Sequence, residues 1–244
     1  MPLFDPNIIP AECGTPEYIT AVNAYIDGLR EKKVPLLPLA GAVRTANLVR
    51  CYIQAHIRRC IEFLEAGHAE FYAGRSLVTY VCARANLENV AAFCDFAGSL
   101  IPLLEAGDHE TIFKFIDART FWTKIPSFIQ EYGETLSARS ILTQVDKMNK
   151  KYPQFRQAYD HLSDFVHPNA LGAVVHFTSF DGSIATFHDL GKAQHQPLGE
   201  LIASGFLFGY MEIAIAEIVF EISCNRKFTL LESRWRTLYN RDFS

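Results

Sequence analysis

What this chain lacks narrows its class first. Its six cysteines (13, 51, 60, 82, 94 and 224) form no Cys-x-x-Cys pair, so the spacings that gather zinc or build a small disulfide framework are missing. Reduced thiols in a cytoplasmic setting are the expectation. There is no glycine-rich phosphate loop and no Gly-x-Gly-x-x-Gly fingerprint, which sets aside the P-loop and Rossmann nucleotide sites. The opening Met-Pro-Leu-Phe-Asp-Pro has no basic region ahead of an apolar run, so no secretory leader is expected. The apolar run at 201–211 is far shorter than the roughly 20 residues that span a bilayer, and no membrane association is expected. An excess of positive charge is also absent: the net charge of −4 argues against broad phosphate or nucleic-acid binding. No repeat or low-complexity linker divides the 244 residues, and 49% hydrophobic with 20% charged residues is ordinary globular composition. One domain over 1–244 follows, with 1–14, rich in proline and without apolar period, as an extended arm.

Charge is scarcest where the chain is most apolar. From Ser76 to Leu104 the only charged side chains are Arg84, Glu88 and Asp95, and apolar residues fill nearly every other direction of a helical wheel. A helix apolar all round is a buried helix. At about 100° per residue the three charges share one narrow sector, which predicts a central helix with a single charged stripe.

Around it the pattern reads as helices. Thr15-Pro16-Glu17 supplies a capping hydroxyl, proline at the first helical position and an acid in the first turn, starting a helix to about Lys33. A second helix spans about Gly41 to Ala66, closed by Gly67, with a polar connection from His68 to Gly74. Gly98-Ser99 and Pro102 are expected to kink or stop the central helix near Ile101. Gly107-Asp108 closes it and caps a helix to about Thr120. A further helix, Ile125 to Lys150, is interrupted by Pro126 and Gly133. Asp181-Gly182 between 174–180 and 184–188 signals a β-hairpin, which should pack on the helices because a lone hairpin is marginal in water. A last long helix is expected from Pro197 to Cys224. The fold class is all-α: a bundle of about seven helices around the buried helix 76–104, with one small hairpin at 174–188.

The segment from Gln154 to Asn169 holds the most chemistry. Phe155, Ala158, Leu162, Phe165 and Val166 cover one core-facing arc. Tyr159, Ser163 and His167, spaced i, i+4, i+8, form a polar ladder along its edge. Pro168 stops the helix, and Asn169 can take the left-handed turn after it. Tyr159-Asp160-His161-Leu162-Ser163-Asp164-Phe165-Val166-His167-Pro168 resembles the Tyr-x-x-Leu-Ser-x-x-x-His-Pro box of a family of uncharacterised bacterial helical domains. An Arg-x-x-x-Glu pair on an earlier helix accompanies that box in the family, and Arg84 and Glu88 match it. Asp164 departs from the pattern, in which a glutamate follows the serine. The resemblance covers roughly residues 75–190 and implies a helical bundle without a settled activity.

Arg84 and Glu88 lie one turn apart on a helix too apolar to expose them, and an unpaired buried charge costs several kcal/mol. Convergence of Arg84, Glu88, Tyr159, Ser163, His167 and Asn169 on one semi-buried ligand site is therefore expected, with His167 and Ser163 as the catalytic candidates if the site is an enzyme's. A plain i,i+4 ion pair, satisfied hydroxyls and a histidine at a helix C-terminus describe the same residues without any function. A site of this composition suits a small anionic or nucleotide-like ligand, which makes the chain a binding or regulatory module. The alternative is a metal-independent endoribonuclease of the HEPN type, for which Arg156 and His161 have the Arg-x(4–6)-His spacing. RNA is a partner only under that alternative, and a homodimer is left open under either reading. Five residues on a regular helix turn through about 500°, so these two converge only if the helix begins after Arg156. Ser163 lies in a regular helix without the strained turn that exposes a nucleophile, and the paired Glu-x-x-His motifs of di-iron bundles are missing. No metal and no cofactor is expected.

Overall fold

The structure, a computed structural model, describes residues 16–31, 43–134, 137–168 and 177–187. Seven helices follow in order: α1 (Pro16–Glu31), α2 (Val43–Tyr72), α3 (Ser76–Ala106), α4 (His109–Thr120), α5 (Pro126–Tyr132), α6 (Ile141–Lys151) and α7 (Phe155–Val166). A two-stranded antiparallel sheet, β1 (Thr178–Asp181) with β2 (Ile184–Phe187), completes the described part. The architecture is a helical bundle around α3 with one small hairpin. The arm at 1–14, the helix expected at 197–224 and the tail beyond it lie outside the described residues. Seven helices are reached by a different route from the one expected, because the segment 125–150 divides in two.

α3 is the axis because it has almost no face to give to water. Tyr80, Leu87, Val90, Phe93, Phe96 and Leu100 are fully buried along it, packed by α2 on one side and by α4, α6 and α7 on others. Among the described helices α3 is the one long and apolar enough to cross a membrane, yet more than half of its apolar stretch is buried inside the protein, with Val78 and Val81 left exposed. Facing it, α2 contributes Val49, Ile53, Ile57, Cys60, Ile61 and Leu64 at helical spacing. His56 and Asn89 fasten the two helices by reciprocal bonds. The ring Nδ1 lies 2.8 Å from the Asn89 carbonyl oxygen, and the Asn89 amide donates to the His56 carbonyl at 3.0 Å.

Three expected boundaries move, each for a local reason. Gly67 does not end α2: it is buried inside the helix, which continues through His68 to Tyr72. The stop is Gly74, at φ +77, where the Arg75 amide reaches back to the Glu70 carbonyl at 2.9 Å in the bond pattern of a Schellman cap. The Arg75 guanidinium also grips the Glu70 carboxylate, with one contact at 2.8 Å. α3 likewise runs through Pro102 to Ala106. Pro102 removes the bond to the Gly98 carbonyl, but both residues are exposed, so water can take that acceptor. Gly107 (φ +73) then donates to Leu103 at 3.0 Å, and Asp108 accepts from the amides of Glu110 and Thr111, the cap expected of that dipeptide. Gly133, at φ +103, ends α5, and the chain resumes as α6 only at Ile141.

α5 buries none of its seven residues. Its loop is tied by a bridge between Thr123 and Ser137 and by the Ala138 amide donating to Thr123 at 2.9 Å. The hairpin pairs Thr178 with Phe187 and Asp181 with Ile184, leaving Gly182-Ser183 as the two-residue loop. Gly182 takes φ +57 and Ser183 does not need a positive value, as a II′ turn allows. The strands begin at Thr178, shorter than the 174–188 expected. The expected packing is not what the described residues show: Phe180, Ile184 and Phe187 are about two-thirds or more exposed, at 67%, 65% and 76%. Residues 169–176 and 188 lie outside them.

Candidate functional site

The charged stripe of α3 makes two separate clusters. The first contains the residues singled out from the sequence. Arg84 and Glu88 pair at 3.1 Å, one turn apart. Tyr159 of α7 reaches between them: its hydroxyl accepts from Arg84 Nη2 at 3.0 Å and donates to Glu88 Oε1 at 3.0 Å. The Arg84 guanidinium carbon also lies 5.3 Å from the centre of the Tyr159 ring, within cation–π range. The two charged side chains keep 26% and 31% of their surface, so the cluster is half-open to solvent. Arg84 Nε is buried and has no hydrogen-bond partner among the described residues, which leaves the strongest donor set in the cluster incompletely used.

Tyr159 earns this position by sitting deeper than the wheel suggests. It is 3% exposed and belongs to the core with Phe155 and Leu162, while Phe165 and Val166 are only partly buried. Phe165 stacks on Tyr80 of α3, with ring centres 4.7 Å apart, so the interface lies slightly round from the expected arc. α7 starts without a side-chain cap of its own. Asn149 of α6 takes that place, its side chain accepting from the Arg156 amide at 3.1 Å.

The remaining members of the expected constellation are placed elsewhere. Ser163 gives its hydroxyl to the Tyr159 carbonyl one turn back, at 2.8 Å, and not to Arg84 or Glu88. His167 is the exposed cap residue just after α7, its amide bonded to the Ser163 carbonyl at 2.9 Å. Its ring makes no hydrogen bond or ion pair among the described residues. Asn169 lies outside them. Of the six residues, the described structure brings together three.

The pair Arg156 and His161 is also placed. α7 includes Arg156 in its first turn, so the two lie on one regular helix and the condition for their convergence is not met. Arg156 turns to carboxylates instead, with Nε 2.8 Å from Asp160 and Nη1 2.6 Å from Asp146. His161 is exposed and stacks loosely on Phe165, ring centres 6.4 Å apart.

The second cluster is the one the sequence did not disclose. Asp95, two turns beyond Glu88, is buried against Arg119 of α4 and Lys147 of α6, with Lys147 Nζ 2.5 Å from Oδ1 and Arg119 on Oδ2. Asp95 and Arg119 each keep only 4% of their side-chain surface. Burial pushes the Asp95 carboxyl up, but the hydrogen bonds and charges of Lys147 and Arg119 outweigh it and hold it below the usual value. Trp122 covers the arginine, whose guanidinium carbon lies 3.9 Å from its ring centre. Arg119 and Lys147 stand 24 and 52 residues from Asp95, beyond the reach of any spacing rule.

Among the described residues no group of three or more histidine, cysteine or carboxylate side chains could hold a metal ion. Cys60 and Cys82 are buried and Cys51 is exposed, all free, and burial pushes the Cys60 thiol up to about 12. No family model, curated protein or solved structure matches the chain.

Proposed function

We propose that the chain is a binding or regulatory module whose ligand site is the Arg84–Glu88–Tyr159 cluster. The observation that carries this reading is the half-open arginine, held between two helices by a tyrosine hydroxyl and a carboxylate, with part of its donor set unused. A small anion, such as the phosphate of a nucleotide, would displace Glu88 from the guanidinium and take a fork-to-fork contact in its place. Glu88, about one-third exposed, has water to turn to, and the Tyr159 hydroxyl can donate to the incoming anion instead. The reading assigns no catalytic step to Ser163 or His167, and it needs no metal or cofactor. A cytoplasmic, bacterial-type protein agrees with free thiols at four of the six cysteines and with the resemblance carried by the Tyr159–Pro168 box.

The test is a thermal-shift series against inorganic phosphate, nucleoside mono- and diphosphates and small dicarboxylates. A ligand at about 100 times its Kd should add about 2.7 kcal/mol to stability. That gain should vanish in Arg84→Ala and shrink in Tyr159→Phe. Absence of a shift with every anion, or a shift that survives Arg84→Ala, would reduce the cluster to a strut between α3 and α7.

A further inference from the structure

The segment after α4 presents large apolar side chains that are about half exposed and lie outside the core formed by the described residues. Phe121, Ile125, Phe128 and Tyr132 are 49%, 53%, 50% and 59% exposed, and α5, which carries the last two, buries nothing. These side chains are not scattered. Together with Trp122 and Asp117 they line one open cavity of about 660 Å³, within the range of small-molecule sites. Among the described residues Asp117 is the one formally charged side chain that lines it. Phe128 and Tyr132 lie one turn apart with ring centres 6.0 Å apart and planes 29° from parallel, which gives them a shared face. Trp122 already carries a cation on its ring, the Arg119 guanidinium at 3.9 Å, although Arg119 itself does not line the cavity. The exposed Arg139 reaches the same ring only at 6.0 Å.

We propose that this cavity binds a compact organic cation of the methylated-ammonium class. The chemistry is complementary in both of its parts. Aromatic faces attract a cation too weakly hydrated to resist leaving water, and the carboxylate supplies the counter-charge at the wall. A neutral ligand of the same shape would gain only from apolar contact, and an anion would meet Asp117. The site is separate from the Arg84 cluster and does not depend on it.

The test uses the full chain in a Trp235→Phe background, where Trp122 is the remaining tryptophan. Its fluorescence is titrated with choline and, in parallel, with 3,3-dimethylbutan-1-ol, in which carbon replaces the charged nitrogen. Choline should give a saturable change and bind at least about fivefold more tightly than the alcohol, the ratio expected of a cation–π contribution near 1 kcal/mol. Asp117→Asn and Phe128→Ala should each weaken choline by a similar factor, with far-UV circular dichroism unchanged because neither side chain belongs to the core. Arg84→Ala should leave the titration as it was. Equal affinity for the alcohol, no saturation through the millimolar range, or full binding in Asp117→Asn would overturn the proposal.

Discussion

Arg84–Glu88–Tyr159 and Asp95–Arg119–Lys147 stand on the same stripe of α3, two turns apart, and each joins charges across helices. They differ in how much water they keep. The first retains 26% and 31% of its charged side chains' surface, while Asp95 and Arg119 retain 4% each. In the closed cluster both oxygens of Asp95 are occupied, one by each cation, and Arg119 Nη1, which has no hydrogen-bond partner among the described residues, is buried away from any incoming ligand. In the open one a single tyrosine hydroxyl serves both charges, and each has solvent as a second choice. Burial therefore separates a cluster that holds helices together from one that can trade partners with a ligand, although the residue types are much the same.

The largest effect is expected from the closed cluster. Asp95→Ala leaves Arg119 buried without its partner and should cost about 3–5 kcal/mol in urea unfolding. Because the Asp95 carboxyl is held low in the folded state, its contribution is complete above the ordinary value of 3.8 and disappears as pH falls through the folded value. Asp95→Asn should accordingly flatten the acid limb of the stability profile. Tyr159→Phe removes the shared hydroxyl of the open cluster and should cost less, about 1–2 kcal/mol, because Arg84 and Glu88 can turn to water. A cost equal to that of Asp95→Ala would erase the distinction between the two clusters.

Asn86 sharpens the comparison from the other side. It is fully buried on α3, and among the described residues neither its amide nitrogen nor its oxygen is hydrogen-bonded, so Asn86→Leu should raise stability by about 1 kcal/mol in the same assay. The smallest effect is expected at His56. Burial is the main cause of its depressed pKa, partly opposed by the bond to Asn89. Below the ordinary value of 6.5 the unfolded chain takes up a proton that folded His56 refuses, so stability falls as pH drops from 6.5 toward the folded value. Unfolding midpoints followed from pH 7.5 downward should show this slope, and His56→Gln should lose it.

Much of this was legible in residue order. The apolar wheel of 76–104 identified the central helix, Gly107-Asp108 its end and the next cap, and Asp181-Gly182 the hairpin. Arg84, Glu88 and Tyr159 stand out together from residue order alone. The errors have a common form. Gly67 and Pro102 read as breaks, but a glycine within an apolar period and a proline on the solvent side are both carried by the helix around them. The wheel puts Tyr159 at the edge of the core, where the structure buries it, and Asp95 lies outside the resemblance that singles out Arg84 and Glu88.

Spacing within one helix is a rigid ruler, since 1.5 Å and 100° per residue leave little freedom. That is why the pairing of Arg84 with Glu88, and their sharing of a face with Asp95, could be read from the sequence alone. No such ruler connects Asp95 to Arg119 and Lys147, or Arg84 to Tyr159 across 75 residues. Those distances are set by how α4, α6 and α7 pack on α3, and the same packing decides how much water each charge keeps. Two clusters of similar composition were given opposite exposure by neighbours far away in the chain, because the cost of burying a charge depends on what surrounds it and not on its place in the sequence.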